Sequence, residues 1–148
     1  MTTQTFNFKL DRRTIQKVLS GGKFDEVNFL IREGIEKKRI RRGDQLFGER
    51  KIVLVSFDEP LPSSEIKRLA RKLKLVSTVQ EDSFYFGESF PDEQKKGRII
   101  FLSDSPYTWS GHSFDFALDF EEGKRRITLI SSGGNWSTEN RFAFQSKE

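Results

Sequence analysis

The sequence predicts an α+β fold: a mostly antiparallel sheet with two to three helices, drawn from the N-terminal half, packed on one face. Three observations lead there. Apolar residues recur at helical spacing in the first half of the chain, before position 75. From position 98 onward they alternate with polar residues or form short β-branched blocks. Helices early and strands late depart from the regular βαβ alternation of a parallel sheet. The predicted order is β-α-α-β-α-β-β-β-β-β, in a single domain over residues 1–148.

Phe6-Asn-Phe-Lys-Leu10 alternates as a half-buried strand does. Asp11 is placed to cap a short helix that carries Ile15, Val18 and Leu19 on one side and ends at Ser20-Gly-Gly22. A second helix is predicted from Asp25 as N-cap, with Phe24 and Phe29 as a hydrophobic staple. Val27, Leu30, Ile31 and Ile35 are its buried stripe. The charged stretch 36–51, pinned by Ile40, Leu46 and Phe47, leads to the most legible part of the chain.

There residues 51–57 read as a strand covered on both faces, and Pro60 and Pro62 enforce a turn. Ser63 or Ser64 then caps a helix with Glu65 in its first turn. Ile66, Leu69, Ala70 and Leu73 form the inner stripe of that helix, and Lys67, Arg68, Arg71, Lys72 and Lys74 face outwards. Residues 75–79 and 83–86 read as one bulged strand or a hairpin, and 98–102 as a short buried strand. Along 113–120, Phe114, Phe116, Leu118 and Phe120 share one face, Asp115, Ala117 and Asp119 the other. Glu121-Glu-Gly-Lys124 is a hairpin turn, 125–131 the return strand with acid–base pairing across it, and 141–144 the last strand.

A chain of 148 residues buries roughly 68–70% of its unfolded surface without a disulfide or metal. It has no cysteine, which removes disulfide scaffolds, thiol nucleophiles and thiolate metal sites. Fifteen Phe concentrate burial energy in few residues, since each aromatic ring buries ~150–250 Å². The first residues show neither a basic n-region nor an apolar h-region, and no apolar run approaches ~20 residues. A cytoplasmic protein with no membrane partner is the expectation. The net charge of +4 conceals a split: residues 1–76 carry 18 Lys/Arg against 10 Asp/Glu, and residues 77–148 carry 8 against 12.

That split points to an anionic partner, nucleic acid or an acidic protein surface. The candidate basic face comprises Lys38, Arg39, Arg41, Arg42, Arg68, Arg71 and Lys72, from two segments that flank the 51–57 strand. Cations in such a cluster neutralise phosphates and release counterions. The alternative is a solvated surface with Glu36, Glu49 and Glu65 pairing locally. Consecutive Phe84, Tyr85 and Phe86 offer rings for base stacking, against the simpler role of core packing.

The segment 103–113 holds the lone histidine, His112, among Asp104, Ser105, Tyr107, Ser110 and Ser113. Gly-x-Ser-x-Gly is absent, so an exposed loop histidine is the default reading. Tyr107, Trp109 and Trp136 form an alternative aromatic patch for a protein partner. One histidine and no cysteine exclude ordinary zinc sites, and cross-strand pairing explains Asp115 and Asp119 better than Mg²⁺ does. No cofactor motif is present: neither Gly21-Gly22 nor Gly133-Gly134 has phosphate-loop spacing. The resulting expectation is a non-enzymatic binding or regulatory protein with a basic face. A protein–protein adaptor using the aromatic patch is the second class, and a metal-dependent nuclease or other hydrolase the third. The complementary halves also allow a homodimer, basic half against acidic half.

Overall fold

The computed structural model describes residues 1–40, 48–131 and 133–147. Its first half contains β1 (Thr2–Leu10), α1 (Ile15–Gly21), β2 (Glu26–Val27), α2 (Phe29–Glu36), β3 (Gly48–Ser56), β4 (Leu61–Pro62) and α3 (Ser63–Lys72). The second half adds β5 (Leu75–Val76), α4 (Asp82–Ser89), a 3₁₀ turn (Glu93–Lys95), β6 (Ile99–Phe101) and β7 (Tyr107–Trp109). It closes with β8 (His112–Glu121), β9 (Lys124–Ser131), β10 (Asn135–Trp136) and β11 (Arg141–Ser146).

The main sheet runs β1-β3-β11-β6-β8-β9-β2, with β5 added beside β11 and β7 beside β8. β4 and β10 form a separate two-stranded ladder. The fold is α+β, but the sheet is mixed: β11 lies parallel to β6, and β2 parallel to β9. Some sequence neighbours are therefore far apart, β1 and β2 at opposite ends of the strand order, and both charged halves interleave within the sheet. Their charges meet within the molecule, as in Arg13–Glu88, Arg50–Asp82 and Lys67–Asp104.

β3 shows why two layers cover the sheet. Its side chains alternate, so Ile52 and Leu54 enter one core and Val53 and Val55 the other. The first core also takes Val18 and Leu19 of α1, Ile31 of α2 and Phe84, Tyr85 and Phe86 of α4. The second takes Ile66 and Ala70 of α3, with Trp136, Phe142 and Phe144. The expectation that all helices share one face is thus corrected: α3 stands alone opposite the other three. The apolar run Ile52-Val-Leu-Val55 of β3 needs a cover on each side, and α3 supplies the second.

The segment 83–86 is not a strand. It lies in α4, whose residues 82–87 are all buried. A helix enclosed on every side has no polar stripe, so periodicity gives no helical signal there. Phe86 packs edge-on against Phe6 and Phe101 with ring centroids 5.2 and 6.0 Å apart, and Phe84 against Phe116 at 5.7 Å. These rings build the core and are closed to nucleobases.

Three predicted caps shift. Thr14, not Asp11, caps α1 by accepting from the Lys17 amide at 3.3 Å. Asn28, not Asp25, caps α2 through the Leu30 amide at 2.9 Å, after the chain has spent Glu26 and Val27 pairing with β9. Phe29 is consequently 69% exposed and staples nothing. Pro62 precedes α3 without a side-chain cap, and Ser63 Oγ instead accepts from Trp136 Nε1 at 2.7 Å. The hairpin of β8 and β9 follows the expected pattern. Glu122 and Gly123 both take positive φ (52° and 76°), as a two-residue type I′ turn requires.

Candidate functional site

Amphipathicity orients α3. With Ile66 and Ala70 buried, Arg68, Arg71 and Lys72 stand at i, i+3 and i+4 on the solvent side. Arg68 forms a forked ion pair with Glu65, and the bond from Arg68 holds that carboxyl below its usual range. Arg71 and Lys72 have no ion pair among the described residues, and both are exposed. The chain after α3 pairs Leu75 with Ser146 of β11, and the β3–β11 register, with Gln145 opposite Ile52, brings Lys51 and Lys147 together nearby. Both line an open hollow there, together with Asn7 and Glu49.

The other predicted cations lie elsewhere. Lys38 and Arg39 follow α2, and the neighbouring Ile40 is buried in the first core, on the opposite face of the sheet from α3. The turn there is built by Arg39 and Ile40 amides donating to Gly34 O at 2.7 and 3.0 Å. Arg41 and Arg42 fall outside the described residues. The seven residues expected to share one face therefore divide, and α3 carries the described cluster with Arg68, Arg71 and Lys72 together.

Of the aromatic patch, only Trp109 reaches solvent, at 37% exposure. Tyr107 is buried against Phe116, and Trp136 is buried edge-on to Phe142. Burial of two rings leaves one where three were expected. His112 is exposed opposite Trp109 in the β7–β8 ladder, and among the described residues no carboxylate is hydrogen-bonded to it. Asp119 is buried and bound by both ends of the Arg126 fork, at 2.8 and 2.7 Å. The Ser103 amide donates to the buried Asp115 carboxylate at 3.3 Å. Among the described residues no group of three His, Asp or Glu side chains is placed to hold a metal, and no helix is long and apolar enough to cross a membrane.

Sequence reasoning missed the cleft beside α3. Residues 77–81 and Ser103 and Ser105 enclose about 300 Å³. Thr78 lies in its wall, 3% exposed, and its Oγ1 has no hydrogen-bond partner among the described residues. The wall is rigid because Asp82, fully buried, accepts the Arg50 fork and the Val79 amide at 2.9 Å. Burial pushes the Asp82 carboxyl up, against the pull of Arg50. The polar run Ser77-Thr-Val-Gln-Glu-Asp82 is the available signal, but reading 75–79 and 83–86 as a bulged strand or hairpin hides it. No known protein-family model, no curated protein and no solved structure matches the chain.

Proposed function

We propose that the protein is a small non-enzymatic binding protein that engages a polyanion, foremost nucleic acid, through the outer face of α3 and the adjoining end of the sheet. One observation carries this reading: α3 buries its apolar stripe and presents Arg68, Arg71 and Lys72 outwards, with Arg71 and Lys72 unpaired among the described residues. Lys51 and Lys147 extend the positive surface. Such a surface attracts phosphates whatever their sequence. Lys38 and Arg39 stand on the other face and are not part of this surface.

Fluorescence anisotropy with labelled single- and double-stranded DNA and RNA, at ~50 and ~200 mM salt, tests it. Binding should weaken steeply between those concentrations. An absence of binding to every oligonucleotide at the lower salt overturns the reading and directs attention to an acidic protein partner.

A further inference from the structure

We propose, resting on the nucleic-acid reading above and narrowing it, that the furrow beside α3 holds a ribose phosphate unit. Lys67, Arg71, Ser77 and Asp104, with the apolar Ala70, Leu75, Val76 and Phe144, line a hollow of about 90 Å³. Ser77 also lines the 300 Å³ cleft, so the two hollows adjoin across it. The two hollows differ in chemistry, the cations and Asp104 lining the smaller one and Thr78, Gln80, Ser103 and Ser105 the larger. At the α3 end stands Arg71, exposed and without an ion pair among the described residues. In the same hollow stands the Asp104 carboxylate, which accepts from Ser77 Oγ at 3.1 Å and lies 3.6 Å from Lys67 Nζ. The larger hollow is lined by Thr78, Val79, Gln80, Glu81, Ser103 and Ser105 beside Ser77, and the Thr78 hydroxyl is buried and has no hydrogen-bond partner among the described residues.

Asp104 decides the ligand class. A carboxylate repels phosphate, so a hollow serving charge alone gains nothing from one in its wall. A ligand that is anionic at one end and donates hydroxyl hydrogens a few ångströms away turns that carboxylate to use. Ribose phosphate has this pattern, and carboxylates accept from ribose hydroxyls in dinucleotide sites. The 2′-hydroxyl is also what separates RNA from DNA for a protein. Lys67 holds Asp104 in place by donating to the Ser103 carbonyl at 3.1 Å beside it. The same group occurs in an RNA strand and in a free nucleotide.

The test compares labelled oligouridylate and oligodeoxyuridylate of about twelve nucleotides, which differ only in the 2′-hydroxyl. The wild type should prefer the ribo-oligomer by about tenfold. Asp104→Asn should lower affinity for the ribo-oligomer by about that factor while leaving the deoxy-oligomer unchanged or tighter. Asp104 is 74% exposed in its side chain, so the variant folds, and an unchanged melting temperature verifies that. Arg71→Gln should weaken both oligomers alike. Displacement of the bound ribo-oligomer by uridine monophosphate assigns the furrow to a free nucleotide, and resistance to it assigns the furrow to a strand. Equal wild-type affinity for the two oligomers, or Asp104→Asn tightening both, overturns the ribose assignment and leaves the polyanion reading standing. Failure of the wild type to bind either oligomer at low salt overturns the polyanion reading itself.

Discussion

The guanidinium of Arg125 lies over the ring of Phe24, 4.9 Å from its centroid, and is nearly enclosed. Its acceptors are backbone carbonyls and one amide: Gly22 at 2.7 Å, Lys23 at 3.3 Å, Gly87 at 2.8 Å, Pro91 at 3.0 Å and Gln94 Oε1 at 3.0 Å. Gly22 is the cap residue of α1 and Gly87 belongs to the last turn of α4, so the cation faces the negative ends of two helices. Burial pulls the guanidinium below its ordinary pKa. One β9 side chain thereby ties α1, α4 and the 3₁₀ turn to the sheet.

Arg125→Lys should destabilise the protein by about 2–4 kcal/mol, because one ammonium cannot replace a fork that serves five acceptors. Urea unfolding followed by far-UV circular dichroism measures this. A loss under about 0.5 kcal/mol would mean that these carbonyls are solvated without the guanidinium.

Arg50 and Asp82 form the other buried anchor, 6% and 0% exposed in their side chains. Removing one partner strands a charge, so Asp82→Ala should cost about 3–5 kcal/mol. Replacing both, as Arg50→Met with Asp82→Leu, should recover most of that loss. A double-mutant cycle of unfolding free energies reads the difference.

The hairpin turn is improvable. Glu122 holds φ at 52°, a region that disfavours residues with a Cβ. Glu122→Asn supplies the residue that type I′ turns prefer and should raise stability by about 0.5–1 kcal/mol. Gly123→Val should lower it, and thermal unfolding of both variants checks the pair of signs.

Acid should unfold the protein in a predictable window. The bond from Arg13 holds the Asp11 carboxyl below its usual range. Burial alone would raise Glu93, but Lys96 and Arg141 hold it below as well. A carboxyl lowered by folding stabilises the fold above the unfolded pKa, and that contribution is lost as pH falls through the folded pKa. The loss therefore begins near pH ~4 and grows below it. Asp82, raised by burial, works in the opposite sense and disfavours the fold at neutral pH. Urea midpoints between pH ~5 and ~2 should fall in the wild type and fall less steeply in Arg13→Gln.

Legibility in the sequence followed exposure. α3 and β3 were readable because one face of α3 meets water and β3 is bounded by charge and proline, so pattern and environment agree. The β8–β9 hairpin was readable from its alternation and its Glu-Gly turn. α4 was not: Phe84-Tyr-Phe86 satisfies strand propensity, and burial on every side overrides it. The parallel ladders were also hidden, since β2 and β11 take partners about 100 and 42 residues away, as in Val27 with Ile127 and Arg141 with Ile99. The basic face was half legible. Sequence proximity to β3 suggested one surface, whereas packing on opposite sides of β3 separates Lys38 and Arg39 from α3.

The salt dependence of oligonucleotide binding tests the central claim most directly, measured for the wild type, Arg71→Gln/Lys72→Gln and Lys38→Gln/Arg39→Gln. If α3 is the binding face, the slope of log affinity against log salt should shrink by about 1.5 in the α3 pair. The pair after α2 should retain the wild-type slope. The converse, an unchanged slope for the α3 pair and a reduced one for Lys38→Gln/Arg39→Gln, would place the partner on the opposite face and contradict the account.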